Sequence, residues 1–127
     1  MKKRILITGG AGCLGSSLVE RYIMMGHEVL VLDNFATSTR AAIRAMRNLV
    51  LVEGTIADAA LVDKCFAEFS PTHVIHSAAA YKAPDDWTED IATNVQGAVN
   101  IAQAALKYKV KRVVNFQTAL VYGTPEI

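Results

Sequence analysis

The sequence is poor in cysteine and has no long hydrophobic run, and each shortage excludes a class of protein. Cys13 and Cys65 are the two cysteines among 127 residues. They are too few for a disulfide framework, so we expect reduced thiols that fill space. The longest apolar runs are strand-sized and fall well short of the roughly 20 residues that cross a bilayer. Because residues 1–4 lead directly into such a run, without a signal sequence, we expect a cytoplasmic protein.

An excess of either charge is also missing. The chain has 13 basic and 12 acidic residues and a formal net charge of +1, with the two signs well mixed. We therefore expect neither nucleic acid nor a membrane as a partner, and the sequence offers no pattern of metal ligands. An apolar share of 52% in 127 residues is instead sufficient for one domain with a buried core.

Glycine is concentrated where the first apolar run ends. Gly9, Gly12 and Gly15 follow residues 5–8 with the spacing G-x-x-G-x-x-G and lead into an amphipathic segment. We expect Gly9 to allow a tight exit from a strand and Gly12 to let main-chain N–H groups approach a phosphate. Gly15 would let the helix pack closely on the sheet. Such a loop at a helix N-terminus predicts a cradle for the diphosphate of a dinucleotide.

The second predicted strand ends at Asp33, where an acid can accept hydrogen bonds from an adenosine ribose. Its carboxylate would repel the phosphate of NADP, so we expect NAD as the cofactor. Arg40 follows a few residues later and could hold that phosphate. The simpler alternative is that Arg40 is a solvated helix residue.

Short apolar runs alternate with helical patterns along the chain. Most runs are apolar without alternation, which is typical of strands covered by helices on both faces of a parallel sheet. Right-handed crossovers then predict a doubly wound α/β sheet of Rossmann type with strand order 3-2-1-4-5. The predicted strands span residues 4–8, 28–32, 49–52, 73–76 and 112–116, and the predicted helices span residues 13–25, 38–47, 59–69 and 87–108.

Six short motifs resemble those of the extended short-chain dehydrogenase/reductase superfamily, and within it the NAD-dependent epimerase/dehydratase group that acts on nucleotide sugars. The motifs are T-G-G-A-G at 8–12 with Gly15, D-N at 33–34, E-G-T-I-A-D at 53–58, H-S-A-A at 76–79, N-V-Q-G at 94–97 and V-Y-G at 121–123. Residues 76–82 and 116–120 are especially similar to bacterial sugar epimerase/dehydratases of surface-polysaccharide gene clusters. The resemblance covers the whole chain and implies an NAD-binding Rossmann domain over residues 1–127.

The resemblance also implies a set of cofactor-binding residues. Main-chain atoms of the glycine loop would meet the diphosphate, two residues after the second strand would hold the adenosine ribose, and Ile56 would flank the adenine. Thr55 stands where the family usually has an acid, and its hydroxyl can still accept a hydrogen bond from the adenine amino group. The implied set is Gly9, Gly12, Cys13, Leu14, Gly15, Asp33, Asn34, Thr55, Ile56, Ala78, Ala79, Ala80 and Asn94.

Two parts of this set have a plainer alternative. The three alanines would line the path of the nicotinamide ribose, but core alanines would look the same. Asn94 would either contact the cofactor or tie its helix to neighbouring main chain. Its helix carries an apolar face formed by Ile91, Val95, Val99, Ala102 and Leu106.

Family members of this kind use a tyrosine base acidified by a lysine four residues later. None of the four tyrosines here has a lysine at that spacing. Thr118 stands where the family has the residue that shares the hydrogen bond to the sugar oxygen, and a threonine bonding its own strand end is the alternative. Ala119 and Leu120 replace the acid pair of sugar dehydratases, so the resemblance favours epimerisation at a sugar carbon or simple redox chemistry.

Three functions remain open at this stage. The chain would be the N-terminal, NAD-binding portion of a nucleotide-sugar epimerase, with the catalytic tyrosine, the lysine and the substrate domain absent from it. Alternatively, it is a truncated or engineered dinucleotide-binding module without turnover, or a regulatory protein that senses NAD or NADP. In a truncated chain the fifth strand would be an uncovered edge, so self-association is also expected.

Overall fold

The computed structural model describes residues 1–81, 85–118 and 123. They form a five-stranded parallel sheet in the order β3-β2-β1-β4-β5 with helices around it, which confirms the predicted Rossmann topology. The strands are β1 (Arg4–Thr8), β2 (Glu28–Asp33), β3 (Leu49–Glu53), β4 (His73–His76) and β5 (Arg112–Asn115). The helices are α1 (Cys13–Met24), α2 (Ala59–Phe69), α3 (Trp87–Asp90) and α4 (Ala98–Lys107), with a π-helical segment, Ile91–Gly97, joining the last two.

The strand β1 lies at the centre of the sheet, where Leu6 is in register with Leu30 of β2 and Val74 of β4. Side chains that alternate along these strands enter two separate core clusters. Leu6 packs in the same cluster as Phe66 of α2, and its neighbour Ile7 packs in the cluster of Val19 of α1. Both faces of the central strands are therefore buried, which explains why their sequences are continuously apolar.

The predicted strand and helix ends agree with the structure to within one residue, with one exception. The segment 38–47, predicted as a helix, contains only a 3-10 turn, Arg40–Ala42. The prediction of a longer helix was wrong because a helix of that length is marginal without a well-buried face. Ile43 is the buried apolar residue of this turn region and only Met46 packs beside it on the core.

The apolar face of the long helix, identified from the sequence, does not pack against the core. Ile91, Val95, Val99, Ala102 and Leu106 are all exposed. The buried residues are, apart from Ile101, smaller or polar, and they are Thr93, Gly97, Asn100, Ile101, Ala104 and Ala105. Packing is closest at Gly97, where a Cβ would lie 2.5 Å from the side chain of Ile56 in the turn after β3. A larger residue there would require Ile56 to move.

The carboxyl ends of β1, β2, β3 and β4 lie along one edge of the sheet, and the segments that follow them carry most of the predicted site residues. Within the described ranges, none of the helices is both long enough and apolar enough to cross a membrane. The same part of the chain contains no group of three or more histidine, cysteine, aspartate or glutamate side chains arranged to hold a metal ion.

Candidate cofactor site

The glycine loop connects β1 to α1, and its main chain is packed so closely that side chains do not fit at Gly9, Gly10 and Gly15. Gly9 has a φ of +66°, and a Cβ there would lie 2.8 Å from the main chain of Ala78. A Cβ at Gly15 would collide with the carbonyl oxygen of Gly9 and would lie 2.7 Å from Gly10 Cα. Gly15 therefore packs against the loop itself. The close contact with the sheet, which we expected at Gly15, belongs instead to Gly10, whose Cβ would lie 2.7 Å from Val31.

Gly12 differs from the other glycines of the loop because it borders open space. A Cβ there would have one close neighbour, the Gly9 carbonyl oxygen at 3.3 Å. Gly12 is also the N-cap residue of α1, with no side-chain capping bond and no acidic residue in the first turn. The first N–H groups of a helix have no partner within it and carry partial positive charge. This main chain is therefore suited to an anion such as a diphosphate.

Asp33, the last residue of β2, is bonded to the glycine loop. Its Oδ2 accepts the N–H of Ala11 at 2.8 Å, and its Oδ1 accepts the N–H of Phe35 at 2.8 Å. The Ser38 hydroxyl lies 3.4 Å from the same Oδ1. Asp33 is 8% exposed. A carboxylate has about four acceptor positions, so it can hold the loop and still accept a ribose hydroxyl. The sequence indicated the ribose contact, whereas the bond to the loop was missed.

The segment after β3 forms the wall expected for adenine. Thr55 Oγ1 accepts the N–H of Ala57 at 3.1 Å, so the hydroxyl stabilises the turn in which it lies. Ile56 is 3% exposed and packs against Gly97. Asn100, which sequence reasoning missed, donates from Nδ2 to the carbonyl oxygens of Ile56 at 2.9 Å and Ala57 at 3.0 Å. This buried amide fixes the main chain of the turn to α4.

On the other side of the sheet centre, Thr8 connects β1 to the end of β4. Its Oγ1 accepts the N–H groups of Ser77 and Ala78, each at 3.2 Å, and lies 2.7 Å from His76 Nδ1. A hydroxyl that already accepts two hydrogen bonds has its own proton left to donate. We assign that proton to His76 Nδ1, which places the imidazole proton on Nε2.

Burial lowers the pKa of His76, which favours the neutral ring that this assignment requires. His76 is therefore a satisfied, buried histidine that supports the main chain of the alanine segment. Asn94 supports the same segment from the π-helical side. It donates to the carbonyl oxygen of Ala80 at 2.8 Å and accepts the Ala80 N–H at 2.9 Å.

These segments border an open cavity of about 490 Å³, a volume typical of a small-ligand site. Twelve of the predicted cofactor-binding residues line it, namely Gly9, Gly12, Cys13, Leu14, Gly15, Asp33, Asn34, Thr55, Ile56, Ala78, Ala79 and Ala80. Asn94 is absent from the lining and acts on it through Ala80.

Thr118, the predicted catalytic residue, is exposed and is also not among the described residues that line the cavity, although Phe116 is. Residues 119 and 120, on which the choice between epimerase and dehydratase depends, lie outside the described residues, as does Tyr122. The catalytic role of Thr118 therefore stays a prediction.

The comparison with known proteins agrees with this geometry. The chain matches the model of the NAD-dependent epimerase/dehydratase family over residues 5–127. It is 37% identical over 131 residues to the UDP-glucose 4-epimerase of Haemophilus influenzae, a match that covers 97% of this chain and 39% of the relative.

Two solved structures are more similar still. The Bordetella bronchiseptica enzyme WbmG, in complex with NAD, is 58% identical with a TM-score of 0.96, and the match covers 100% of this chain and 41% of that one. WbmH of the same organism, in complex with NAD+, is 46% identical with a TM-score of 0.94 over 97% of this chain and 41% of that one. The chain thus spans about two fifths of the length of these relatives, and the predicted dependence on NAD is confirmed for the family. The chain belongs to the NAD-dependent epimerase/dehydratase family.

Proposed function

We propose that this chain is the NAD-binding part of a nucleotide-sugar epimerase. The observation that carries the proposal is the uncapped N-terminus of α1, where Gly12 borders open space on the wall of the cavity that Asp33 also lines. The NAD complexes of WbmG and WbmH support the cofactor. The WbmG complex with NAD and UDP supports a nucleotide-linked substrate.

In this proposal each wall of the cavity binds one part of NAD. Main-chain atoms of Gly9, Gly12, Cys13 and Leu14 meet the diphosphate. Since the Gly12 N–H is donated to the Gly9 carbonyl oxygen, the N–H groups of Cys13 and Leu14 are the donors. Asp33 with Asn34 holds the adenosine ribose. Thr55 and Ile56 contact the adenine, and residues 78–80 border the nicotinamide ribose. When bound there, NAD would serve as the hydride acceptor and donor for epimerisation at a sugar carbon. Thr118 would share the hydrogen bond to the sugar oxygen.

The remaining machinery of the epimerase would lie outside these 127 residues. The proposal needs a tyrosine and a lysine four residues apart, and none of the tyrosines here has that partner. It also needs a region that binds the nucleotide sugar. The relatives, which are about two and a half times as long as the matched region, have room for both.

The missing tyrosine–lysine pair also favours a second candidate. A domain that retains the diphosphate cradle but has no base would bind a dinucleotide without turning over a sugar, either as an isolated module or as a sensor of NAD or NADP. These functions differ from the first in turnover and not in cofactor binding.

Self-association is a further part of the proposal. The described sheet ends at β5, whose Val113 and Val114 are 44% and 43% exposed. An exposed apolar edge strand is a template for pairing with another chain. Light scattering of the protein should therefore show species larger than a monomer, and Val114→Lys should reduce them. A monomer at high concentration in both would contradict this part.

The function is tested by two measurements, one on this chain and one on a longer protein that contains it. Calorimetric titration of the chain with NAD and with NADP should show binding with a preference for NAD. Incubation of the longer protein, which would supply the tyrosine, the lysine and the sugar-binding region, with UDP-glucose should yield the epimerised sugar if it is an epimerase of these relatives' specificity. Binding of NAD without turnover would favour the binding module or sensor. Absence of binding to either dinucleotide would reject all three candidates.

A further inference from the structure

An exposed ion pair lies beside the adenosine end of the cavity. Arg40, in the 3-10 turn after β2, pairs through Nη2 with Oε2 of Glu53, the last residue of β3. The same guanidinium lies over the ring of Phe35, 5.3 Å from its centroid. Two contacts therefore hold Arg40 in one position, although its side chain and that of Glu53 are 61% and 55% exposed.

The position of this pair relative to the cavity follows from the register of the sheet. Glu53 is in register with Asp33, and Gly54, the next residue, lines the cavity. On the other segment, Ser38 lines the cavity two residues before Arg40 and contacts Asp33 Oδ1. Arg40 and Glu53 therefore flank the place where Asp33 would meet the ribose.

We propose that Glu53 is a specificity-determining residue, which keeps the Arg40 guanidinium from the 2′-phosphate of NADP. This inference rests on the proposed binding of NAD in the cavity. An arginine near the acid at the end of the second strand is the usual partner of that phosphate. Here the guanidinium is already neutralised by a carboxylate, and Asp33 adds a second negative charge that repels the phosphate.

The size of the effect is limited because exposed ion pairs are weak. Release of Arg40 should strengthen NADP binding by about fivefold at most, since that factor corresponds to the upper end of the range for such pairs. NAD has no 2′-phosphate, so its binding should change by less than about twofold. The gain for NADP should shrink as salt is added, because screening weakens exposed charges.

The test measures displacement of NADH by NADP, and NAD affinity by calorimetry, for four variants in addition to the unmodified protein. These are Glu53→Gln, Arg40→Gln, the double variant, and Glu68→Gln as a matched control. Glu68 belongs to a similarly exposed pair with Lys64 on α2, away from the cavity. A lower NADP concentration should displace NADH from Glu53→Gln than from the unmodified protein. Displacement of NADH from the double variant and from Glu68→Gln should require the same NADP concentration as from the unmodified protein.

Two results would overturn the inference while leaving NAD binding intact. One is that NADH is displaced from Glu53→Gln by the same NADP concentration as from the unmodified protein. The other is that the double variant shows the same increase in NADP affinity as Glu53→Gln, which would mean that the charge of Glu53 acts directly and not through Arg40. If no variant and not even the unmodified protein binds NAD, the proposed function itself fails.

Discussion

The carboxylate of Asp33 accepts the main-chain N–H of Ala11 in a buried hydrogen bond of 2.8 Å. This bond connects the end of β2 to the glycine loop that follows β1. A residue expected to meet the ribose therefore also holds the loop expected to meet the diphosphate. The second carboxylate oxygen accepts the N–H of Phe35, two residues further along the chain, and this local bond fixes the orientation of the carboxylate that holds the loop.

Asp33→Asn should reduce both the stability and the affinity for NAD. An amide has one acceptor oxygen, so either the Ala11 or the Phe35 N–H would face an NH₂ group. We expect a loss of about 1–3 kcal/mol in the free energy of unfolding, measured by urea denaturation. Asp58→Asn is the matched control, because a single oxygen of Asp58 accepts both capping N–H groups of α2. That change should cost less than about 0.5 kcal/mol. Equal losses in the two variants would contradict the bridging role of Asp33.

Gly12→Ala should separate cofactor binding from folding. The new methyl group would meet only the Gly9 carbonyl oxygen within the protein, at 3.3 Å, so the loop should keep its structure. We expect the free energy of unfolding to fall by about 1 kcal/mol, because alanine is a poorer N-cap residue than glycine. The affinity for NAD, measured by calorimetry, should fall by about tenfold or more because the methyl group occupies the approach of the diphosphate. Gly15→Ala should instead destabilise the fold itself, since its Cβ would collide with Gly9. NAD affinity retained in a folded Gly12→Ala protein would argue against the cradle.

His76 should make the stability depend on pH. Its pKa is lowered by burial from the ordinary value of 6.5, so the unfolded chain takes up a proton before the folded protein does. Stability is therefore full above about pH 6.5 and declines as the pH falls through the folded-state pKa, by up to about 1.4 kcal/mol per pH unit.

Thermal unfolding between about pH 7.5 and 5 should show this decline. His76→Asn should flatten it, because the amide oxygen can accept the Thr8 proton without titrating. The pKa of His73 is also lowered, by burial and then by Lys3 and neighbouring cations. His73→Asn therefore measures the contribution of His73 to the pH dependence of stability. An unchanged pH profile in His76→Asn would rule out His76 as its source.

Asn100→Ala should destabilise the turn that carries Thr55 and Ile56. The substitution leaves the carbonyl oxygens of Ile56 and Ala57 without their shared donor, at an expected cost of about 2 kcal/mol in the free energy of unfolding. Gln103→Ala, at an exposed position on α4, is the control and should change stability by less than about 0.5 kcal/mol. Denaturation curves that coincide for the two variants would show that Asn100 does not hold the turn.

The residues that sequence reasoning found and those it missed differ in one physical respect. Gly9, Gly12 and Asp33 were predicted because a strand end followed by glycine or an acid is a local pattern, whereas the alanines after β4 were predicted from the family resemblance. Asn100 was missed because its partners lie more than 40 residues away. A signal did exist, since Thr93, Gly97, Asn100 and Ala104 recur at helical spacing as a strip of small and polar residues.

The error over the long helix has the same origin. Large aliphatic residues at helical spacing predict a buried face, but this rule assumes that the neighbour has room for them. At Gly97 the helix lies directly against the Ile56 side chain, so the face that carries Gly97 is buried, and Ile91, Val95, Val99 and Leu106 remain exposed.

The sequence by itself determined the strand order, the glycine loop and the acid at the end of β2, because apolar periodicity and glycine spacing act through the local backbone. Tertiary structure alone decided which face of the long helix is buried, that residues 38–47 form only a single turn, and that Arg40 pairs with Glu53. Those outcomes depend on how closely distant segments approach one another, and a one-dimensional pattern does not contain that distance.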